Sequence, residues 1–321
     1  MCFCVCYTSF VVEFVFERRF ILITGIHHFL AFTKSAKKNH AFYVGLLGLR
    51  LIKNTVNQQN TAIRHLFYGD YNANPGTQLT FFELKHSGQA YNEDNYFSTV
   101  TLDVPKSSLP FWHDYLTKHD INVEWSFDKS SLFFTDGDGL PLALRETEAM
   151  IASENAVSHP SIPREMQIIG LSEILIRVAN PEATLNFLSS FLGLKREGGC
   201  NFVYNDSSQF TTTVEASNNT EKSRLGHGSI DHIAYNVDTA EDLEVLHQRA
   251  LDMELPVEMY LDRDYFKSLY VTDPNGLRIE IATKGPGFTI DEPLETLGET
   301  LALPIFLEHK RAEIETHLEE F

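Results

Sequence analysis

Cysteine is scarce in this 321-residue chain: there are four, with Cys2, Cys4 and Cys6 crowded at the start and Cys200 alone. That distribution builds no disulfide framework and fits a reducing compartment, so a cytoplasmic location is expected. The Cys-x-Cys-x-Cys spacing is also wrong for a zinc knuckle. Positive charge is short as well. Lys and Arg total 26 against 44 Asp and Glu, a formal net charge of −18, which argues against nucleic acid and anionic membranes as partners. Long apolar runs are missing too. The first stretch, MCFCVCYTSFVVEFVFERRF, is apolar but carries Glu13 and ends in Glu17-Arg18-Arg19. It is too short for a transmembrane helix and lacks the basic start and small-residue cleavage site of a signal peptide. Residues 1–20 are therefore expected to be a non-native or disordered leader, with a start near Leu22.

What is present is an apolar fraction of 43% with 22% charged residues, the balance of a soluble globular protein, and it is arranged as a repeat. GIHHFLAFTKSAKKNHAFYVGLLGLRL, from Gly25, parallels GLSEILIRVANPEATLNFLSSFLGLKR, from Gly170. Each begins with strand-like alternation, continues with apolar residues at helical spacing and stops at Leu-Gly-Leu, around Gly48 and Gly193. STVTLDVPKSSLPFWHDYLTKHDI, from Ser98, likewise parallels DHIAYNVDTAEDLEVLHQRALDMEL, from Asp231. Further strands follow each helix. The chain thus reads as an α+β protein of four strand–helix–strand–strand–strand (βαβββ) modules, starting near Ile23, Tyr96, Gln167 and Gly228. Two domains are expected, 21–150 and 167–284, joined by the polar, Pro-containing stretch 151–166. A tail, 285–321, opens with a Gly/Pro turn and carries a helix that packs back on the domains.

Residues that break the repeat are the candidates for chemistry. SLYVTDPNGLRIEI (Ser268–Ile281) and SLFFTDGDGLPLAL (Ser131–Leu144) share a strand, a turn and an apolar strand, but Glu280 stands where the other has Ala143, and Tyr270 where it has Phe133. At one position of the first strand the four modules hold His28, Thr99, Glu173 and His232. Two imidazoles and one carboxylate on rigid strands form a facial triad that leaves metal positions open, suited to non-haem Fe(II) with Mn(II) close behind. One metal gathers His28, His232 and Glu280 only if modules one and four lie side by side, so the pairing expected is one with four and two with three. Glu173 is a fourth ligand in principle but lies in the wrong module. His27 is expected on the opposite face of its strand, structural or supporting a ligand. His40, His65, His86 and His247 are expected to be structural. Tyr270 is brought beside Glu280 by the turn, either to donate a hydrogen bond at the metal or as a core aromatic like Phe133.

On GIHHFLAF…FYVGLLGLRLIKNTVN, HLFYGDYNANPGTQLTFFE, DHIAYNV, DRDYFKSLYVTDPNGLRIEIAT and GPGFTIDEPLETLGE, the chain resembles the vicinal oxygen chelate superfamily from about Ile23 onward. Within it, the chain resembles the ring-cleaving dioxygenases that act on hydroquinones. The resemblance implies two domains with cup-shaped mixed sheets, Fe(II) held by His28, His232 and Glu280, and Tyr270 as the active-site tyrosine. It implies an aromatic diol and O2 as substrates, with a homodimer as the assembly. The ring-cleaving relatives carry further catalytic histidines; MYLDRDY, before Tyr270, offers no match, which leaves the acid/base group without a residue. Two other functions stay open: a glyoxalase-like metal-dependent lyase or isomerase acting on thiol conjugates, and an aromatic-compound binding or resistance protein.

Overall fold

The computed structural model describes residues 22–205, 208–218 and 221–319; the expected leader lies outside them. Module one is β1 (Ile23–Thr33), α1 (Ala36–His40, continuing as a π-helical turn over Ala41–Leu46), β2 (Arg50–Asn57), β3 (Asn60–Gly69) and β4 (Gln78–Glu83). Module two is β5 (Tyr96–Pro105), α2 (Leu109–Lys118), β6 (Glu124–Trp125), β7 (Ser131–Thr135) and β8 (Pro141–Thr147). Module three is β9 (Gly170–Val178), α3 (Pro181–Leu192), β10 (Phe202–Asn205) and β11 (Ser208–Ala216). Module four is β12 (Ile230–Val237), α4 (Ala240–Asp252), β13 (Val257–Asp262), β14 (Phe266–Thr272) and β15 (Arg278–Pro286). Module three departs from the expected pattern: its second strand shrinks to one bridge, Lys195 with Tyr204. The Gly198-Gly199 pair that follows offers no side chains to pack and favours a turn.

The helices stop where the glycines predict. Gly48 and Gly193 adopt φ of 72° and 75°, a left-handed conformation that costs a residue with a Cβ more than it costs glycine.

The strands form two sheets, β13-β14-β15-β12-β1-β4-β3-β2 and β10-β11-β9-β5-β8-β7-β6. Module one is therefore paired with module four through antiparallel β1 and β12, and module two with module three through β5 and β9. Each sheet draws one module from either half of the chain, so the sheets do not coincide with segments 21–150 and 167–284. Inward faces of the sheets and the apolar sides of the helices merge into one core that includes Phe29, Trp112, Phe191 and Ile279. The tail packs as expected, with Leu303, Leu307 and Ile314 buried against Val56 of β2. Among the described residues, no helix is long and apolar enough to cross a membrane.

Candidate metal centre

The β1–β12 seam sets the site. His28 lies in β1, His232 in β12, and β15 runs parallel beside β12 with Ala234 opposite Glu280. The turn Asp273–Gly276 aims β15. The Asp273 carboxylate accepts hydrogen bonds from the backbone N–H of Asn275 and Leu277 and from the Thr184 hydroxyl of α3, while Gly276 takes φ of 86°. Antiparallel pairing then puts Tyr270 directly opposite Glu280.

The three predicted ligands converge. Glu280 Oε2 lies 3.2 Å from His28 Nε2 and 2.8 Å from His232 Nε2, and all three side chains are buried. These separations are of hydrogen-bond length, yet Glu280 Oε2 and His232 Nε2 lack a partner of hydrogen-bond geometry. Each ligand's other polar atom is already engaged. Ser268 Oγ donates to Glu280 Oε1 at 2.5 Å. His232 Nδ1 meets Asp231 Oδ2 at 2.8 Å, and Arg278 donates to that oxygen at 2.9 Å. His28 Nδ1 meets His27 Nδ1 at 2.9 Å, and His27 is also bonded to backbone at Thr283. If His27 donates there, its Nδ1 accepts from His28. Two Nε2 lone pairs and one carboxylate oxygen are then left facing one point. Supported imidazole and carboxylate donors of this kind fit a divalent metal ion.

The carboxylate and the imidazoles also hold one another electrostatically. Burial works against ionised Glu280 but is outweighed by His28 and His232, so its carboxyl is held well below the usual range. Burial likewise opposes protonation of His232, but the Asp231 and Glu280 carboxylates beside it prevail and lift it to about 9, so a bound cation would displace that proton. Burial, with His28 beside it, lowers His27 to about 3. His27 was expected on the far face of β1. A register shift between Ile26 and His28 breaks the alternation, and both rings pack on Phe266, at 5.1 and 5.6 Å.

A cavity of about 270 Å³, lined by His28, His232 and Tyr270, opens on this cluster. Its walls are mostly apolar, including Phe32, Ile63 and Phe82. A larger cavity of about 930 Å³ lies between β2 and the tail and contains none of the predicted site residues. Tyr270 packs edge-on against His232, ring centroids 5.5 Å apart. Burial and the Glu280 charge push its phenol up, keeping it protonated.

His65, read from sequence as structural, lines this cavity. It sits between Phe67 and Phe82, with ring centroids 4.0 and 4.3 Å away, and its Nε2 is buried without a partner. Burial, aided by His28 and Arg263, lowers its pKa well below the ordinary value, so the imidazole is neutral. The signal was alternation: Ile63, His65 and Phe67 share one face of β3. Arg263, also missed, stands in the MYLDRDY stretch and donates to the Tyr270 hydroxyl at 3.3 Å. Glu173 remains apart, in the other sheet, bonded by Thr213 and by Arg145 at 3.3 Å.

With that geometry in view, the family comparisons are specific. The sequence model of the Glyoxalase/Bleomycin resistance protein/Dioxygenase superfamily matches residues 170–281. MhqA of Bacillus subtilis, provisionally named a ring-cleaving dioxygenase, is 36% identical over 310 residues, spanning 92% of this chain and 98% of its own. The chlorohydroquinone/hydroquinone 1,2-dioxygenase of Sphingobium indicum is 26% identical, spanning 91% and 95%. A crystal structure of a provisionally named dioxygenase from Bacillus subtilis superposes with a TM-score of 0.86 at 30% identity, covering 94% of this chain and 98% of that one. Glyoxalase I of Zea mays, at 13% identity, covering 81% and 92%, with a TM-score of 0.56, shares the fold.

Proposed function

The chain belongs to the glyoxalase/bleomycin resistance protein/dioxygenase superfamily, and we propose that it is an Fe(II)-dependent extradiol-type dioxygenase that opens the ring of an aromatic diol of the hydroquinone or catechol class. One observation carries the reading: His28 Nε2, His232 Nε2 and Glu280 Oε2 face one point, and the remaining polar atom of each is occupied elsewhere. Three protein ligands leave positions open for substrate, as a catalytic rather than a structural site requires. Mn(II) suits the same donors. The names of the relatives support ring cleavage over the lyase and binding readings.

Fe(II) held there supplies the redox chemistry that lets O2 react with a diol. The protein's residues do the rest. The apolar walls exclude water and hold a planar ring, strengthening every polar contact inside. His65, neutral and outside the ligand set, lines the cavity with an unpartnered Nε2 and is placed to hydrogen-bond a diol hydroxyl. Arg263 donates to the Tyr270 oxygen, which leaves the phenol hydrogen free to point into the cavity and stabilise negative charge as it develops on oxygen. The Arg263 guanidinium favours an anionic diol as well.

The test is oxygen uptake by anaerobically purified, Fe(II)-loaded protein given hydroquinones and catechols, with the product identified by mass. One O2 consumed per diol, with both atoms in a ring-opened product, supports the reading. Iron-loaded protein that consumes no O2 with any diol overturns it.

A further inference from the structure

Lys53 is fully buried in β2, yet its ammonium is not part of the ligand cluster. Its Nζ lies 2.6 Å from Asp291 Oδ1 and 2.5 Å from Glu292 Oε2, both in the tail, and 4.5 Å above the Tyr265 ring. The Tyr265 hydroxyl donates to the other Asp291 oxygen at 2.7 Å. Tyr265 lies in the turn from β13 to β14, and with Arg263 and Phe266 it forms one wall of the cavity. The opposite wall comes from β2 and β3. The cluster therefore ties the two walls together through the tail. Two further bonds run alongside it: Gln58 Nε2 to the Arg263 carbonyl at 3.1 Å, and Gly287 N–H to the Tyr265 carbonyl at 2.8 Å.

A buried ion cluster is a weak source of stability, because desolvation offsets most of the attraction; an apolar side chain of similar size serves stability as well. What the charges add is direction. The paired charges hold the tail against Tyr265, whose neighbours Phe266 and Arg263 touch His28 and Tyr270.

We infer that Lys53, Asp291 and Tyr265 form a clamp that positions the Arg263–Phe266 wall across the cavity and so sets which diols fit. The inference deepens the dioxygenase reading and rests on it for its selectivity. Lys53→Met risks misfolding, so the informative variants are Tyr265→Phe and Asp291→Asn, which delete a hydroxyl and a charge. Two measurements apply to each: amide hydrogen exchange over 263–292, which needs no activity, and kcat/KM for hydroquinone against a bulkier alkyl-substituted hydroquinone. The clamp predicts faster exchange at 263–266, unchanged iron content, and a shift of about tenfold in the bulky-to-small ratio, the scale of a changed apolar pocket. Wild-type exchange in folded variants overturns the clamp. Faster exchange with an unchanged ratio overturns its role in selectivity and leaves only a structural tie. A wild-type protein inactive on every diol defeats the dioxygenase reading, while exchange still decides the clamp.

Discussion

Glu280 brings a carboxylate into a fully buried stretch of β15 between Ile279 and Ile281, and its two oxygens do different things. Oε1 accepts from Ser268, while Oε2 faces two imidazole nitrogens. Its identity as a candidate ligand was legible because the repeat supplies its own control, Ala143. His65 was not legible that way, since nothing at residue level separates a cavity imidazole from a structural one. We predict that His65→Ala lowers kcat/KM by about 10- to 100-fold, the scale of a lost buried hydrogen bond, with iron content unchanged, checked by oxygen uptake beside metal analysis; equal loss of iron contradicts the role. A second prediction concerns Asp136, buried in the matching turn of the other sheet and hydrogen-bonded by Tyr43. Burial raises its pKa from 3.8 to about 6. The folded state thus holds the proton more tightly than the unfolded one. This contribution to stability is complete below 3.8 and is lost as pH rises through about 6. Asp136→Asn should flatten that dependence in urea unfolding between pH 4 and 6, roughly the window these values define.

At the scale of elements, the same turn occurs twice with different consequences. Asp136 accepts from the backbone N–H of Asp138 and Leu140, as Asp273 does from Asn275 and Leu277. Only the Asp273 turn leads into the strand that bears a proposed ligand, Glu280. Removing either acceptor leaves buried donors unsatisfied, at about 1–3 kcal/mol. Asp273→Ala and Asp136→Ala are therefore predicted to lose similar stability in urea titrations, with metal affinity falling in Asp273→Ala alone. Equal affinity in both contradicts the assignment of β15 as the ligand strand. Strands, helices and glycine stops were readable because period and turn chemistry are local. The shortened second strand of module three and the register shift at His27 were not, since both depend on how neighbouring strands pair.

Across the molecule, the pairing of module one with module four was inferable from the ligands themselves: three residues far apart in sequence need one centre, and only that pairing provides it. The walls of the cavity were not inferable, because Lys53, Tyr265 and Asp291 meet only once the tail has folded over β2. A metal bound to the folded chain alone stabilises it by mass action, about 2.7 kcal/mol at a hundredfold excess over Kd. Chelation should accordingly lower the urea midpoint, and Fe(II) or Mn(II) should restore it.

The most direct test of the account is an anaerobic Fe(II) titration of chelated protein, wild type beside Glu280→Ala. The wild type is expected to bind one metal ion per chain, and the variant to lose affinity by more than about a hundredfold, beyond what disturbing a supporting group costs. Substoichiometric binding in the wild type, or equal affinity in both proteins, would contradict the centre on which the proposed chemistry depends.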